Sequence, residues 1–350
     1  MGPALFVMKK ILFLCLAACC IAGPLHARRL SIGNDDFRSE LLFRDHRFLG
    51  ASFLDVKTGE CLTADAQAPL FELCLEGQKV TSADPVWAYA GRTRKTLANG
   101  GTVISFSFRG RGAWRGLRLV WDREFFPEGA FVRERLRLRS ARGKGLHLTN
   151  LDGGNHLLFP VYAFAEDGAV QAKELRIGTF RKKHAFPEHH MFHTDSSRFT
   201  VGASVQEVKG PFLILSGPRR QWVCSYEHAS QDHSFNYKPG QTTAAGNDES
   251  QGVEGDIMTM TDDDFWFISS FVSQSDGTLW LGNRIRHGGY LDGEAIPSKD
   301  WYETVWSTLS ILPSDANVNA AISDYLLTKI TENPESRVAD FYYNSWGMQR

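Results

Sequence analysis

Between residues 37 and 312 hydrophobic and polar positions alternate with a period of two, the mark of half-buried β-strands. In Val103-Ile104-Ser105-Phe106-Ser107-Phe108 the alternation follows an Asn99-Gly100-Gly101 turn, and Leu117-Arg118-Leu119-Val120-Trp121 follows a second glycine-rich break, which predicts two adjacent strands. Val132-Arg133-Glu134-Arg135-Leu136-Arg137-Leu138-Arg139 puts its arginines on one face and Val132, Leu136 and Leu138 on the other. The arginine face is expected to be solvated and is not a nucleic-acid patch. Further strands are expected at residues 212–215, 222–226, 265–272 and 302–312, each bounded by Gly, Pro, Asp or Ser. Short strands with closely spaced turn signals predict a mostly β protein, a large antiparallel sandwich rather than a parallel α/β sheet.

One helical pattern stands apart. Val318, Ala321, Ile322, Tyr325 and Leu326 recur at i, i+3, i+4, i+7 and i+8, with Ser314 or Asp315 placed to cap the start and Pro334 beyond the end. Asp340-Phe341-Tyr342-Tyr343-Asn344-Ser345-Trp346 then has the aromatic character of a buried strand, where termini are normally polar. The expected organisation is a sandwich over residues 28–313, a linker helix over 314–334, and the first strand of an interrupted further domain over 335–350.

At the other end, Met8-Lys9-Lys10 and the apolar residues 11–18 form a basic head and short hydrophobic run, as in a secretory signal. Met8 reads as the better start, with residues 1–7 an over-extended frame. Cleavage after Ala27 is preferred, which makes residues 1–27 a leader; the alternative is lipid attachment at Cys19 after Leu16-Ala17-Ala18. Either way the chain is expected to be exported, to a periplasm or the exterior. No stretch approaches the ~20 apolar residues that span a bilayer, so no integral membrane segment is expected.

Composition narrows the function classes. A hydrophobic content of 43% and a charged content of 23% allow a large core, and a formal net charge of -1 offers no field for nucleic acid. Of the 6 cysteines, Cys61, Cys74 and Cys224 remain after the leader. A Cys61 to Cys74 bridge and free buried thiols are both open, and no spacing resembles a zinc site. The 9 tryptophans fit sugar stacking as well as core filling, the latter being favoured.

The densest cluster of candidate chemistry is Lys182-Lys183-His184-Ala185-Phe186-Pro187-Glu188-His189-His190-Met191-Phe192-His193. His189 and His193 would share a helix face and could hold a metal, but Pro187 and the β pattern favour a loop, and no metal is assigned. Glu227-His228, Asp232-His233 and Asp152-Gly153-Gly154-Asn155-His156 read as polar loops. His156 or His228 with Glu227 or Glu303 is a conceivable acid and base pair of an aldose epimerase, against the simpler reading of hydrogen-bonded surface histidines. Gly110-Arg111-Gly112 and Gly282-Asn283 read as hairpin glycines. No phosphate loop, dinucleotide fingerprint or Gly-x-Ser-x-Gly is present, so no cofactor is expected.

The order sandwich, helix, strand resembles the N-terminal β-supersandwich, galactose mutarotase-like in fold, that precedes a (β/α)8 barrel in α-galactosidase-like (melibiase-type) glycoside hydrolases. Ser31-Ile32-Gly33-Asn34-Asp35 leading to Ser52-Phe53-Leu54-Asp55-Val56-Lys57-Thr58-Gly59 is similar to the opening strands of that family, and Tyr343-Asn344-Ser345-Trp346 to its first barrel strand. Gly347-Met348-Gln349 follow where the family has Glu or Tyr and an acidic residue. The resemblance implies an accessory domain that shapes a pocket for α-galactosides, with oligosaccharide or polysaccharide as substrate and the missing barrel as partner. It also implies catalytic carboxylates about 5–5.5 Å apart on later barrel strands, so none is assigned here. Trp346 is the one residue carried over, as a sugar-pocket wall or a packing residue at the junction. Two rival functions are a complete aldose epimerase and a non-catalytic glycan-binding protein.

Overall fold

The structure, a computed structural model, describes residues 27–64, 68–141, 143–151, 154–179, 192–208, 210–227, 268–285, 294–331 and 335. Among them the chain is almost entirely antiparallel β. A ten-stranded sheet runs in the order Phe192–Thr200, Gln171–Thr179, Phe212–Ser216, Arg220–Tyr226, Ser307–Pro313, Phe131–Arg139, Arg118–Phe125, Thr102–Gly110, Trp87–Thr96, with Tyr302–Glu303 also paired to Phe131–Arg139. An eight-stranded sheet is centred on Leu157–Ala165 and Thr278–Ile285. A three-stranded sheet, Ala27–Gly33, Phe37–Arg44 and Arg47–Asp55, opens the chain.

The inner faces of these sheets make one core. Ile104, Phe106 and Phe108 point inward while Ser105 and Ser107 point out, as the alternation predicts. Phe164 of the eight-stranded sheet meets Trp222 of the ten-stranded one with ring centroids 6.1 Å apart, and Phe53 of the small sheet lies 5.5 Å from Phe164. The small sheet also touches the large one through Phe37 against Phe125 and Phe48 against Trp121, both at 5.8 Å. Aromatics serve here as core, since Trp87, Trp121 and Trp222 are all fully buried.

Three local expectations are corrected. The strand foreseen over 302–312 is two, Tyr302–Glu303 and Ser307–Pro313. Glu303 faces Arg137 and Ser307 faces Glu134, so the chain carries one residue more than its partner there, a bulge. Thr304 closes the gap: its Oγ1 accepts from the Leu136 N–H at 3.0 Å, and its own N–H donates to the Leu136 carbonyl at 2.9 Å. The helix Val318–Tyr325 is capped by Asn317 rather than Ser314 or Asp315, with the Asn317 Oδ1 accepting from Ala320 N–H at 3.1 Å. Gly282-Asn283 lies inside Thr278–Ile285 rather than in a hairpin; a Cβ on Gly282 would stand 2.2 Å from the Pro160 carbonyl oxygen, so the close strand approach demands glycine.

The helix packs on the outer face of the ten-stranded sheet, burying Val318, Ile322 and Tyr325 against Phe131, Ile214, Val223 and Leu312. Tyr325 stacks on Phe131 at 4.2 Å. Cys61, Cys74 and Cys224 are all free thiols, so the bridge left open for Cys61 and Cys74 is not formed; Cys74 accepts instead from the Thr149 hydroxyl at 3.2 Å. Among the described residues no helix is long and apolar enough to cross a membrane. Residues 1–26, with Cys19, lie outside the described residues, as does Trp346.

Candidate functional site

The arginine face is not simply solvated, as expected from the sequence, but laced with carboxylates and covered by tryptophans. Register explains it: Glu124 lies opposite Arg133 and Asp122 opposite Arg135 on the neighbouring strand. Arg133 donates through Nε and Nη2 to the two Glu227 oxygens, both at 2.6 Å, and through Nη1 to Glu124 at 2.5 Å. Arg135 donates to Asp122 at 3.0 Å and to Glu303 at 2.7 Å, and Arg137 to Asp122 at 3.0 Å. The Ser105 hydroxyl donates to Asp122 at 2.6 Å. The bulge at Thr304 presents Trp306, whose ring lies 4.6 Å from both the Arg133 and Arg135 guanidinium carbons. Trp301 lies 5.1 Å from that of Arg137 and 4.6 Å from that of Arg139.

These contacts fix long side chains in place. Burial alone would lower the Arg133 pKa, but the hydrogen bonds and charge of Glu227, with the charge of Glu124, outweigh it and hold the guanidinium well above its usual value. The face thus combines planar guanidinium donors, carboxylate acceptors and indole rings, groups of the kind that suit the hydroxyls and C–H faces of sugars.

Two of the residues singled out in sequence converge here, Glu227 and Glu303, and both are engaged with arginine. His156 is brought to Glu72 instead, with Nε2 3.3 Å from the carboxylate. This contact is the largest cause holding the Glu72 carboxyl below the usual range, against the opposing effect of burial, with Lys79 adding to it. The pairing of His156 with Glu227 or Glu303 is thus not assembled, and His228, Asp232 and His233 lie outside the described residues. So do His184, His189 and His190, whereas His193 falls in the strand Phe192–Thr200. Among the described residues no group of three or more His, Cys, Asp and Glu side chains could hold a metal.

Directly behind this face lies a polar cluster that the sequence reading missed. Arg123 and Glu134, both with side chains 0% exposed, pair across adjacent strands. Glu134 also accepts from Trp121 Nε1 at 3.0 Å and the Tyr162 hydroxyl at 3.1 Å. Burial first, and the Glu134 charge second, raise the Tyr162 pKa well above its usual value. A cavity of about 20 Å³, room for one water, adjoins Arg123, Glu134 and Tyr162. The signal was available: Glu134 is the acidic residue at an inward position of the alternating strand.

Two open grooves flank the small sheet. One, of about 540 Å³, runs between the Thr58-Gly59 turn and the helix, with Asp55, Lys57, Arg219, Asp324 and Lys329 in its walls. The other, of about 510 Å³, is lined by Asn34, Arg92, Arg94 and Phe125. Asn34 braces both, donating to the Phe126 and Gly129 carbonyls at 3.0 and 2.7 Å. Both volumes lie in the range of small-molecule sites.

No protein-family model matches the chain, and no curated protein matches it. Among solved structures, it is similar to the α-galactosidase from Lactobacillus brevis, with TM-score 0.49 and 9% identity over 86% of this chain and 42% of that one. It is likewise similar to the α-galactosidase AgaA from Geobacillus stearothermophilus, with TM-score 0.47 and 11% identity over 85% and 42%. A putative aldose 1-epimerase from Escherichia coli K12 gives TM-score 0.42 and 6% identity over 81% and 99%. The chain spans about 42% of the length of the α-galactosidases. All three TM-scores fall below 0.5, and the architecture of the described residues, mostly antiparallel β with the helix Val318–Tyr325, stands on strand pairing.

Proposed function

We propose that this chain is the N-terminal, pocket-shaping portion of an exported glycoside hydrolase acting on α-galactosides, whose catalytic barrel begins with the strand over residues 335–350. One observation carries the reading: an antiparallel sandwich is followed by a helix docked on its outer face, and the sequence then runs into Tyr343-Asn344-Ser345-Trp346, which resembles the first barrel strand of the α-galactosidase type. The engagement of Glu227, Glu303, Asp122 and Glu124 with arginines favours a supporting role for the sandwich over an epimerase one, because their oxygens are already taken by guanidinium donors. Trp346 contributes a wall of the sugar pocket in this reading.

The test is to express this chain and the product of the reading frame continued beyond Arg350, and to assay both on a nitrophenyl α-galactoside and on a free aldose. Hydrolysis by the longer protein alone is expected. Hydrolysis by neither, or anomer interconversion by the short chain, overturns the proposal.

A further inference from the structure

At one end of the ten-stranded sheet the charge pattern changes. Register sets Arg109 opposite Arg118, and Arg118 opposite Arg139, all at outward positions of three neighbouring strands. Neighbouring strands lie about 4.8 Å apart, and like charges directly opposite one another destabilise a sheet. Farther along the same strands the fold avoids that situation: Arg137 and Arg135 have Asp122, and Arg133 has Glu124. Among the described residues no carboxylate pairs with Arg109, Arg118 or Arg139.

The surroundings reinforce the row. Segments 106–121 and 135–151 contain no Asp or Glu, and they add Arg115 and Lys144, both exposed. Their two turns are tied together, with Ala141 N–H donating to the Gly116 carbonyl at 2.8 Å and the Lys144 stem lying over Gly116. Arg109 and Arg118 are exposed. Arg139 is held by the Trp301 ring 4.6 Å from its guanidinium carbon, so less freedom is lost when it takes a ligand. The net charge of the whole chain is only -1, so this is a local field built by placement.

We propose that this end of the sheet binds an anionic polysaccharide through its carboxylate or sulfate groups. Guanidinium forks take such oxyanions bidentately. A line of them fixed by strand register across an open face suits a linear polymer carrying repeated charges. The choice of a polysaccharide among polyanions rests on the carbohydrate-handling function proposed above; the charge row itself does not depend on it.

The experiment is affinity electrophoresis of this chain in gels containing polygalacturonate, dextran sulfate or plain dextran, with double-stranded DNA in a parallel shift assay, at low and high salt. At least one charged glycan is expected to retard the protein, with apparent affinity at least about ten-fold above dextran and lost at high salt; the two glycans identify the preferred oxyanion. Arg118→Glu converts the row into alternating signs. It is expected to keep or raise Tm through new cross-strand attraction and to weaken glycan affinity at least about ten-fold, the loss of one charge-assisted contact. Should Arg118→Glu fail to fold, Arg118→Gln and Arg109→Gln carry the same comparison. Retardation by neither charged glycan, unchanged retardation of a folded variant, or DNA binding as tight and as sensitive to Arg118 overturns the proposal. The readout uses no α-galactoside and no hydrolysis, so it stands or falls apart from the galactosidase assay.

Discussion

Glu134 holds three donor residues from two strands, Trp121 and Arg123 of Arg118–Phe125 and Tyr162 of Leu157–Ala165. Removing one partner of a buried ion pair strands the other charge away from water, which costs about 3–5 kcal/mol. Glu134→Gln is therefore expected to lower unfolding stability by about that amount, read by urea denaturation, whereas Arg123→Met combined with Glu134→Leu recovers most of the loss. A single variant as stable as the parent would mean that Arg123 reaches water. The inward position of Glu134 was legible in the alternation of its strand. The identity of its partners was not, because Tyr162 belongs to the facing sheet and only strand register sets Arg123 opposite Glu134. The same holds for Glu227: its pairing with Arg133 spans 94 residues, and only the meeting of distant strands turns a polar loop residue into part of a charged face.

At the scale of elements, the helix Val318–Tyr325 shows how a pattern can be right in face and wrong in cap. Val318, Ile322 and Tyr325 are buried as their spacing requires. The cap falls on Asn317 because Pro313 ends the preceding strand and the chain needs a turn, closed by Ala316 N–H to the Pro313 carbonyl at 3.1 Å, before the helix begins. Asn317→Ala is expected to cost about 1 kcal/mol and to raise amide exchange across residues 318–325 before the sheet beneath is affected. Uniform exchange throughout the molecule would contradict that order of events. The bulge between Glu303 and Ser307 was illegible for a related reason. The residues 302–312 read as one strand, and the extra residue is specified by what it serves, the Thr304 side chain standing in the ladder and Trp306 reaching the arginines.

At the scale of the whole molecule, Glu166 marks the place where the sheets meet. It follows the strand Leu157–Ala165, and its carboxylate lies 3.8 and 3.9 Å from the Nε atoms of Arg219 and Arg220, which themselves donate to Glu60 at 2.8 Å. The side chain is 0% exposed and, among the described residues, neither of its oxygens accepts a hydrogen bond. Burial raises its pKa, against the lowering by Arg219 and Arg220. The charged form is thus disfavoured in the folded state, and the parent loses stability as pH rises from the usual carboxylate value through the raised one. Glu166→Gln is expected to be more stable than the parent at neutral pH, by about 1 kcal/mol, the scale of an unmet polar group. The gap should close below the usual carboxylate range, where the parent carries a neutral acid; Tm measured for both across pH decides, and a less stable variant at neutral pH would make the arginine attraction dominant. What the sequence determined by itself was local: the period of two, the inward and outward faces of strands and the apolar stripe of the helix, because these follow from backbone geometry within a few residues. Tertiary structure alone decided which strands are neighbours and in what register, and so whether an arginine faces a carboxylate, as Arg133 faces Glu124, or another arginine, as Arg139 faces Arg118. Charge interactions depend on distance through space, and that distance is fixed only when the sheets close.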